Sequence, residues 1–223
     1  MIEYLNKVYF FDTAERFMHE DFKVMCIGGD STLALEIRKR WPKATIAIVE
    51  ACAATVAELA NDKKCGAQIV HAALGATEGP VNLHCYAHAT ANSLWPVHKK
   101  VVSTPDPLSV EQVEGKTLGT LLDMCGMDTC DLLLMNAEGA ELYALRQICE
   151  DTGLATSVRQ FCCGTHWLHQ PLYTRTALAP MLLRLRHTHL IDSHTRYHHG
   201  RPNLEYLLVR WLPHGYIMEK RDE

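Results

Sequence analysis

The sequence predicts an α/β fold, in which a mostly parallel sheet is covered by helices on both faces. Short apolar runs typical of buried strands alternate along the 223 residues with stretches of helical period. The first run, Lys23 to Ile27, ends at the glycine pair Gly28 and Gly29, as in a strand that turns directly into a helix. A hydrophobic fraction of 48% is enough for one sizeable core.

Two strand-helix units open the predicted domain. A helix over 33–41 follows the glycine pair, and Pro42 ends it. The β-branched run 45–49 predicts a second strand, and the period of 52–64 predicts a second helix. Residues 67–71 are a predicted third strand. A parallel sheet built from such units is expected to have right-handed crossovers and to bind ligands at the carboxyl ends of its strands.

The later elements are less regular. Residues 81–86 alternate like a half-exposed strand and are expected to form an insertion. The stretch 87–114 contains three prolines and is expected to be an irregular loop that faces the substrate. The remaining predicted elements are a helix over 117–125, a strand over 131–135, a helix over 138–150, a strand over 156–163, a helix over 178–186 with Pro180 in its first turn, and strands near 189–192 and 204–211.

The domain organisation is expected to be simple. Residues 1–21 are predicted to form an N-terminal helical segment, and residues 22–223 a single domain. The chain contains no run of about 18 uncharged apolar residues, which a membrane helix requires. We therefore expect a soluble cytoplasmic protein with no membrane partner, and a homo-oligomer remains open.

Charge and cysteine content limit the function classes. The formal charge of -4 favours no nucleic-acid partner, because proteins that bind nucleic acid usually carry an excess of basic residues. The nine cysteines are odd in number and scattered, which indicates reduced thiols. No CxxC pair occurs, so a zinc knuckle is not expected and no metal is assigned to the site.

A candidate nucleoside site begins at the turn Gly28-Gly29-Asp30-Ser31. Glu50 ends the second strand, where an acidic side chain can accept hydrogen bonds from both hydroxyls of a ribose. The turn does not follow the G-x-G-x-x-G pattern, so a nucleoside without a pyrophosphate fits better than NAD. The same residues also fit a plain turn and a solvated carboxylate.

Several segments carry a resemblance to a known family. DLLLMNAEGAELYALR, at 131–146, resembles the strand, acidic turn and Leu-rich helix of the FkbM-like S-adenosylmethionine-dependent methyltransferases. VMCIGGDSTLAL, IAIVEA and HAALGATEGPVNLHCY resemble that family's cofactor turn, ribose-binding strand end and adenine-side segment with its β-hairpin. The resemblance covers 22–163, more loosely to 210. It implies a Rossmann-like class I methyltransferase fold with a β-hairpin insertion and an antiparallel C-terminal strand.

The resemblance also implies a site and a reaction. The expected cofactor is S-adenosylmethionine, and the expected reaction is O-methylation of a hydroxyl on a small molecule or glycan. His166 is the expected general base, since the unperturbed pKa of histidine, about 6.5, suits that task. The residues expected to bind the cofactor are Gly28, Gly29, Asp30, Ser31, Glu50, Ala51, Ala72, Ala73, Leu74, Asn92, Ser93 and Asn136.

Departures from the family pattern keep two other hypotheses open. The departures lie at Cys26, Thr32, Gly119, Asn136 and Gly164, and most replace an acidic residue by a neutral one. The chain could therefore be a catalytically inactive binding module that retains or has lost the nucleoside pocket. A third hypothesis is a metal protein, because His187 and His189 on a strand would lie on one face and His194 or His198 could complete a ligand set after a turn.

Overall fold

The computed structural model describes residues 21–29, 31–62, 66–87, 91–96, 106–165, 175–187, 189–198 and 201–210. The strands are β1 Lys23–Ile27, β2 Thr45–Glu50, β3 Gln68–His71, β4 Ala73–Leu74, β5 Gly79–Cys85, β6 Ser109–Lys116, β7 Leu132–Met135, β8 Gln160–Thr165, β9 His189–His198 and β10 Arg201–Arg210. The helices are α1 Ser31–Arg40, α2 Ala53–Asn61, α3 Leu118–Met124, α4 Glu141–Glu150, α5 Thr152–Ser157 and α6 Arg175–Leu185.

The central sheet has seven strands in the order β3-β2-β1-β7-β8-β10-β9. The first five in this order are parallel, and β10 runs antiparallel to both of its neighbours. This confirms the predicted mostly parallel sheet with an antiparallel C-terminal strand. The chain leaves β1 toward β2 on one side and returns to β7 on the other, so the carboxyl ends of β1 and β7 border the crevice where such sheets bind ligands.

Helices cover both faces of the sheet because successive side chains of its strands point in opposite directions. On β1, Met25 packs in the core cluster that includes α3 and α4. Its neighbours Val24 and Cys26 pack in the cluster that includes α1. Within α1 the buried residues Leu33, Ala34 and Ile37 form one apolar stripe. None of the helices in the described ranges is long and apolar enough to span a membrane.

A small second sheet, in the order β4-β6-β5, forms the insertion. β5 and β6 are antiparallel, which confirms the predicted hairpin. The prediction of an irregular loop through 87–114 is wrong at its end, because β6 begins at Ser109. Val113 and Gly115 are buried while the residues between and before them are mostly exposed and polar. This one-sided burial gave β6 too few apolar residues to be recognised as a strand.

Two other predictions need correction, and a third is not tested. The strand predicted from 156 begins later, at Gln160, because the short helix α5 comes before it. Asp151 caps this helix: its Oδ1 accepts hydrogen bonds from the backbone N–H groups of Gly153 and Leu154, at 2.7 and 3.2 Å. Pro180 lies inside α6 and not in its first turn, since that helix begins at Arg175. The predicted N-terminal segment lies outside the described residues except for Asp21.

Asp131 ties three strands together at the edge of the sheet opposite the crevice. Its carboxylate, 3% exposed, accepts from the Lys23 backbone N–H at 2.8 Å and from Arg159 Nη1 at 2.6 Å. We expect Asp131→Ala to lower the free energy of unfolding in urea by about 2 to 3 kcal/mol, because a partly buried N–H loses its acceptor and the charged pair is lost. Asp128→Ala is the control, since that carboxylate is 81% exposed. An equal decrease in the free energy of unfolding in the two variants would contradict this account.

Glu78 joins the small sheet to the start of α3. Hydrogen bonds from the Thr117 backbone N–H, at 2.9 Å, and from Thr120 Oγ1, at 2.8 Å, lower the pKa of Glu78 from 4.5 to about 2. Since the pKa is lower in the folded state, this carboxylate stabilises the fold fully above pH 4.5, and the contribution is lost as the pH falls toward 2.

Glu78→Gln should therefore change the pH dependence of stability. The difference in free energy of unfolding between wild type and variant is expected to be largest near neutral pH and to shrink as the pH falls from about 5 to 2. Urea denaturation at a series of pH values measures it. A difference that stays constant over this range would show that Glu78 does not titrate as the structure indicates.

Candidate functional site

The glycine turn after β1 brings three strand ends together. Gly28 has a φ of 91°, and a Cβ at this position would overlap the backbone carbonyl of Asn136. Its N–H donates to the Val49 carbonyl at 3.0 Å, and the Asn136 N–H donates to the Ile27 carbonyl at 3.0 Å. The close approach that Gly28 permits is thus an approach of protein backbone to protein backbone, and it sets the floor of the crevice.

Glu50 is held at this floor by the backbone. Its Oε2 accepts from the Gly29 N–H at 2.6 Å, and its Oε1 accepts from the Cys52 N–H at 2.7 Å. A Cβ on Gly29 would lie 2.8 Å from Oε2, so only glycine lets the carboxylate reach this position. Each carboxylate oxygen has room for a second hydrogen bond, and Glu50 is only partly buried. The side chain is therefore fixed in orientation and can still accept from a ligand.

The acidic turn, residues 136–141 after β7, forms the wall of the crevice on the other side of β1 from Glu50. Glu141 is fully buried and accepts from the N–H of Ala137 at 2.9 Å and of Gly139 at 2.8 Å, so its carboxylate shapes the turn. Glu138, also buried, has a φ of 44°, a left-handed conformation that is costly for a residue with a side chain. Strain of this kind persists where the surrounding structure imposes it, and here it presents Glu138 to the crevice.

Asn92 and Ser93 come from the insertion. Ser93 Oγ donates to the Glu138 carbonyl at 2.8 Å and accepts from the Trp95 N–H at 3.2 Å. Asn92 Oδ1 accepts from the Tyr86 N–H at 2.8 Å. These hydrogen bonds show that both side chains hold the insertion in place, and Ser93 links it to the acidic turn.

The strand ends, the acidic turn and the insertion enclose a cavity of about 320 Å³. This volume is at the lower end of the range for small-molecule sites. The cavity brings together ten of the residues expected from the sequence to bind a cofactor: Gly28, Gly29, Glu50, Ala51, Ala72, Ala73, Leu74, Asn92, Ser93 and Asn136. Ser31 begins α1 and does not line the cavity. Asp30 and His166 lie outside the described residues, so their roles stay predictions.

Other lining residues were not expected from the sequence. Glu138 is the most informative of them, and its signal was its place in the acidic turn directly after a buried strand. The others are mostly apolar and come from several elements: Ile27, Val49, Thr55, Leu83, Leu94, Ala137 and Ala140.

The charge of the lining is one-sided. Glu50 and Glu138 are its ionisable residues, and the described lining contains no lysine, arginine or histidine. Sites for phosphate and pyrophosphate groups usually supply basic side chains or free helix N–H groups. The cavity is therefore better suited to a ligand with apolar rings, hydroxyl donors and positive charge than to a phosphorylated one.

The predicted histidine pair does not form a shared face. His187 is exposed in the turn after α6, whereas His189 is 4% exposed at the start of β9. The two residues are thus in different surroundings. The metal-protein hypothesis based on this pair has no support from the described residues.

The sheet order and the position of the cavity define a fold class: the chain has the Rossmann-like fold of class I methyltransferases. The methyltransferase domain of METTL16 is similar in structure, with a TM-score of 0.50 and 9% identity over 90% of this chain and 65% of that chain. The N-terminal domain of human METTL16 in complex with SAH has a TM-score of 0.49 and 12% identity, over 94% of this chain and 68% of that one. The chain thus spans just under two thirds of the first of these domains.

Comparison of the amino-acid sequence alone found no known relative. No protein-family model matches the chain, and no curated protein does either. The finer resemblance to the FkbM-like family therefore stays a prediction, while the methyltransferase fold is established by the structural similarity.

One expectation about partners is wrong. The net charge favoured no nucleic-acid partner, but the similar structures include a candidate tRNA (m1A22) methyltransferase, Sp1610 of Streptococcus pneumoniae, with a TM-score of 0.47 and 11% identity over 89% of this chain and 68% of that one. The net charge misled because it is a sum over the whole molecule, whereas nucleic-acid binding needs only a local basic surface. A formal charge of -4 therefore excludes no acceptor class.

Proposed function

We propose that the cavity binds S-adenosylmethionine and that the protein is a methyltransferase that uses it. The observation that carries this proposal is Glu50, whose carboxylate is fixed by the N–H groups of Gly29 and Cys52 at the carboxyl end of β2. Its remaining acceptor positions can take both hydroxyls of a ribose. The adenine would then lie along the apolar segment Ala72–Leu74 and Leu83, which line the same cavity.

The charge of the lining supports this cofactor over NAD. S-adenosylmethionine carries a sulfonium and an ammonium group against a single carboxylate, so its net charge is positive, and it has no phosphate. Glu138 and Asn136 lie at the wall opposite Glu50, where they can accept hydrogen bonds from the ammonium group. NAD would bring a pyrophosphate into a lining that contains two glutamates and, among its described residues, no basic side chain.

The reaction would be an in-line displacement. The bond between the methyl carbon and the sulfonium sulfur breaks as the bond to the acceptor forms, and the sulfur leaves as a neutral thioether. The protein mainly has to hold the two reactants in line. If the acceptor is a hydroxyl of a small molecule or glycan, as the resemblance implies, its proton must pass to a base, and His166 is the proposed base.

A thermal-shift series tests the ligand class. S-adenosylmethionine and its demethylated product are expected to raise the unfolding temperature, and NAD is not. A ligand at 100 times its dissociation constant stabilises the fold by about 2.7 kcal/mol, which is easily measured. No shift with either nucleoside at millimolar concentration would contradict the proposal.

Transfer of the methyl group must be tested separately from binding of the cofactor. Protein incubated with donor labelled in the methyl group is offered small alcohols, glycans and RNA, and the label is followed into each acceptor. Label in any acceptor supports the enzyme. Binding without transfer to any of them would favour the inactive binding module, to which the neutral Asn136 points.

A further inference from the structure

Two buried thiols and a carboxylate lie together near the cavity, and none of the three residues is part of its lining. Cys52 is the N-cap residue of α2, Cys85 ends β5, and Glu111 belongs to β6. The two sulfur atoms and a carboxylate oxygen of Glu111 lie within 4.8 Å of one another. Cys52 is 6% exposed and Cys85 is 8% exposed, while Glu111 is partly buried. The two thiols are therefore largely shielded from water, while the Glu111 side chain stays partly accessible to it.

The register of the small sheet explains how distant residues meet. Leu83 pairs with Glu111 across β5 and β6, and alternate residues of a strand share a face, so Cys85 and Glu111 lie on one side. On that side Leu83 and Val113 pack in an apolar cluster that also contains Cys52. Glu111 places a carboxylate in this mostly apolar row, hydrogen-bonded to the side chain of Cys85.

The donor set is typical of zinc. Zn²⁺ binds thiolates at about 2.3 Å and carboxylate oxygens at about 2.0 to 2.2 Å in a tetrahedral arrangement. Ligand atoms of such a site are therefore separated by roughly 3.3 to 3.8 Å. Movements of about 1 Å would close the present cluster around an ion. Sulfur ligands favour Zn²⁺ over Mg²⁺ and Ca²⁺, which prefer oxygen.

We propose that Cys52, Cys85 and Glu111 bind a zinc ion, with water in the fourth position. Both thiols release their protons to solvent when the ion binds, and the charge of the ion balances the two thiolates. The ion would fasten the insertion to the turn after β2. The Cys52 N–H already holds Glu50 Oε1 at 2.7 Å, so the site would stabilise the backbone that orients Glu50.

Cobalt titration of the full chain tests the site without any nucleoside. The protein is reduced, treated with a chelator, and titrated with Co²⁺ and then Zn²⁺. We expect one equivalent of Co²⁺ to give the thiolate-to-cobalt absorption band in the near ultraviolet, and Zn²⁺ to displace it. Cys85→Ser and Glu111→Gln should each weaken Zn²⁺ binding by more than about tenfold. Cys125→Ser is the control, because Cys125 is similarly buried at 6% exposure and is not in the cluster.

Three results would overturn the proposal. One is the absence of the absorption band in the wild type, which requires no variant to fold. Another is equal Zn²⁺ affinity in the wild type and in Glu111→Gln, a change on a partly exposed strand position. A Cys52–Cys85 disulfide in the purified chain, with no metal binding after reduction, would likewise show that the cluster is not a metal site. None of these outcomes depends on whether the cavity binds a nucleoside.

Discussion

Glu50→Ala is expected to abolish the binding of S-adenosylmethionine and of its demethylated product. The variant loses two hydrogen bonds from ribose hydroxyls to a charged acceptor, and such bonds contribute about 1.5 to 3 kcal/mol each. The affinity should therefore fall by more than about 100-fold, since each 1.4 kcal/mol is a factor of ten. Titration calorimetry measures the affinity, and the thermal shift should vanish with it.

A neighbouring glutamate provides the control. Glu58 is exposed on α2, eight positions further along, and Glu58→Ala should bind both nucleosides as the wild type does. Circular dichroism would establish that Glu50→Ala still folds, because the N–H groups of Gly29 and Cys52 lose their acceptor in that variant. Affinity within about threefold of wild type in Glu50→Ala would mean that the ribose lies elsewhere.

Gly28→Ala is expected to have the largest effect on stability. At a φ of 91° a side chain is strained, and the added Cβ would overlap the Asn136 carbonyl, which is part of the backbone and cannot turn away. Strain of this kind costs about 1 to 3 kcal/mol, and separating the strand ends adds to it. We expect the free energy of unfolding in urea to fall by more than about 3 kcal/mol.

Gly126→Ala separates the two causes. Gly126 also has a positive φ, 64°, but no atom lies within 4 Å of the position that a Cβ would occupy. In this variant the free energy of unfolding should fall only by the cost of the left-handed backbone conformation, about 1 to 2 kcal/mol. If the two substitutions destabilise the fold equally, the ends of β1, β2 and β7 are not packed as closely as the structure indicates.

Much of the fold and part of the site could be predicted because their signals are local. The strand at Lys23–Ile27 and its glycine pair are adjacent in sequence, and Glu50 ends a run of β-branched residues. The rule that parallel strands present ligand sites at their carboxyl ends then brings Glu50 and Asn136 to one crevice. The structure places both in the lining of the cavity.

The rest depends on pairings that no local pattern carries. The register of β5 with β6 places Glu111 on the same face of the small sheet as Cys85, although a long connection separates the two residues in the chain. The strained backbone of Glu138 and the hydrogen bond from Ser93 to its carbonyl arise only when the insertion packs on the acidic turn. Such contacts follow from tertiary structure, which outweighs local propensity.

A crystal structure with the demethylated product of S-adenosylmethionine bound is the most direct measurement of the central claim. The account predicts density for the nucleoside in the cavity, with both ribose hydroxyls within hydrogen-bond distance of the Glu50 carboxylate and the sulfur on the side of Asn136. A nucleoside bound at another surface, or a ribose that makes no contact with Glu50, would contradict it.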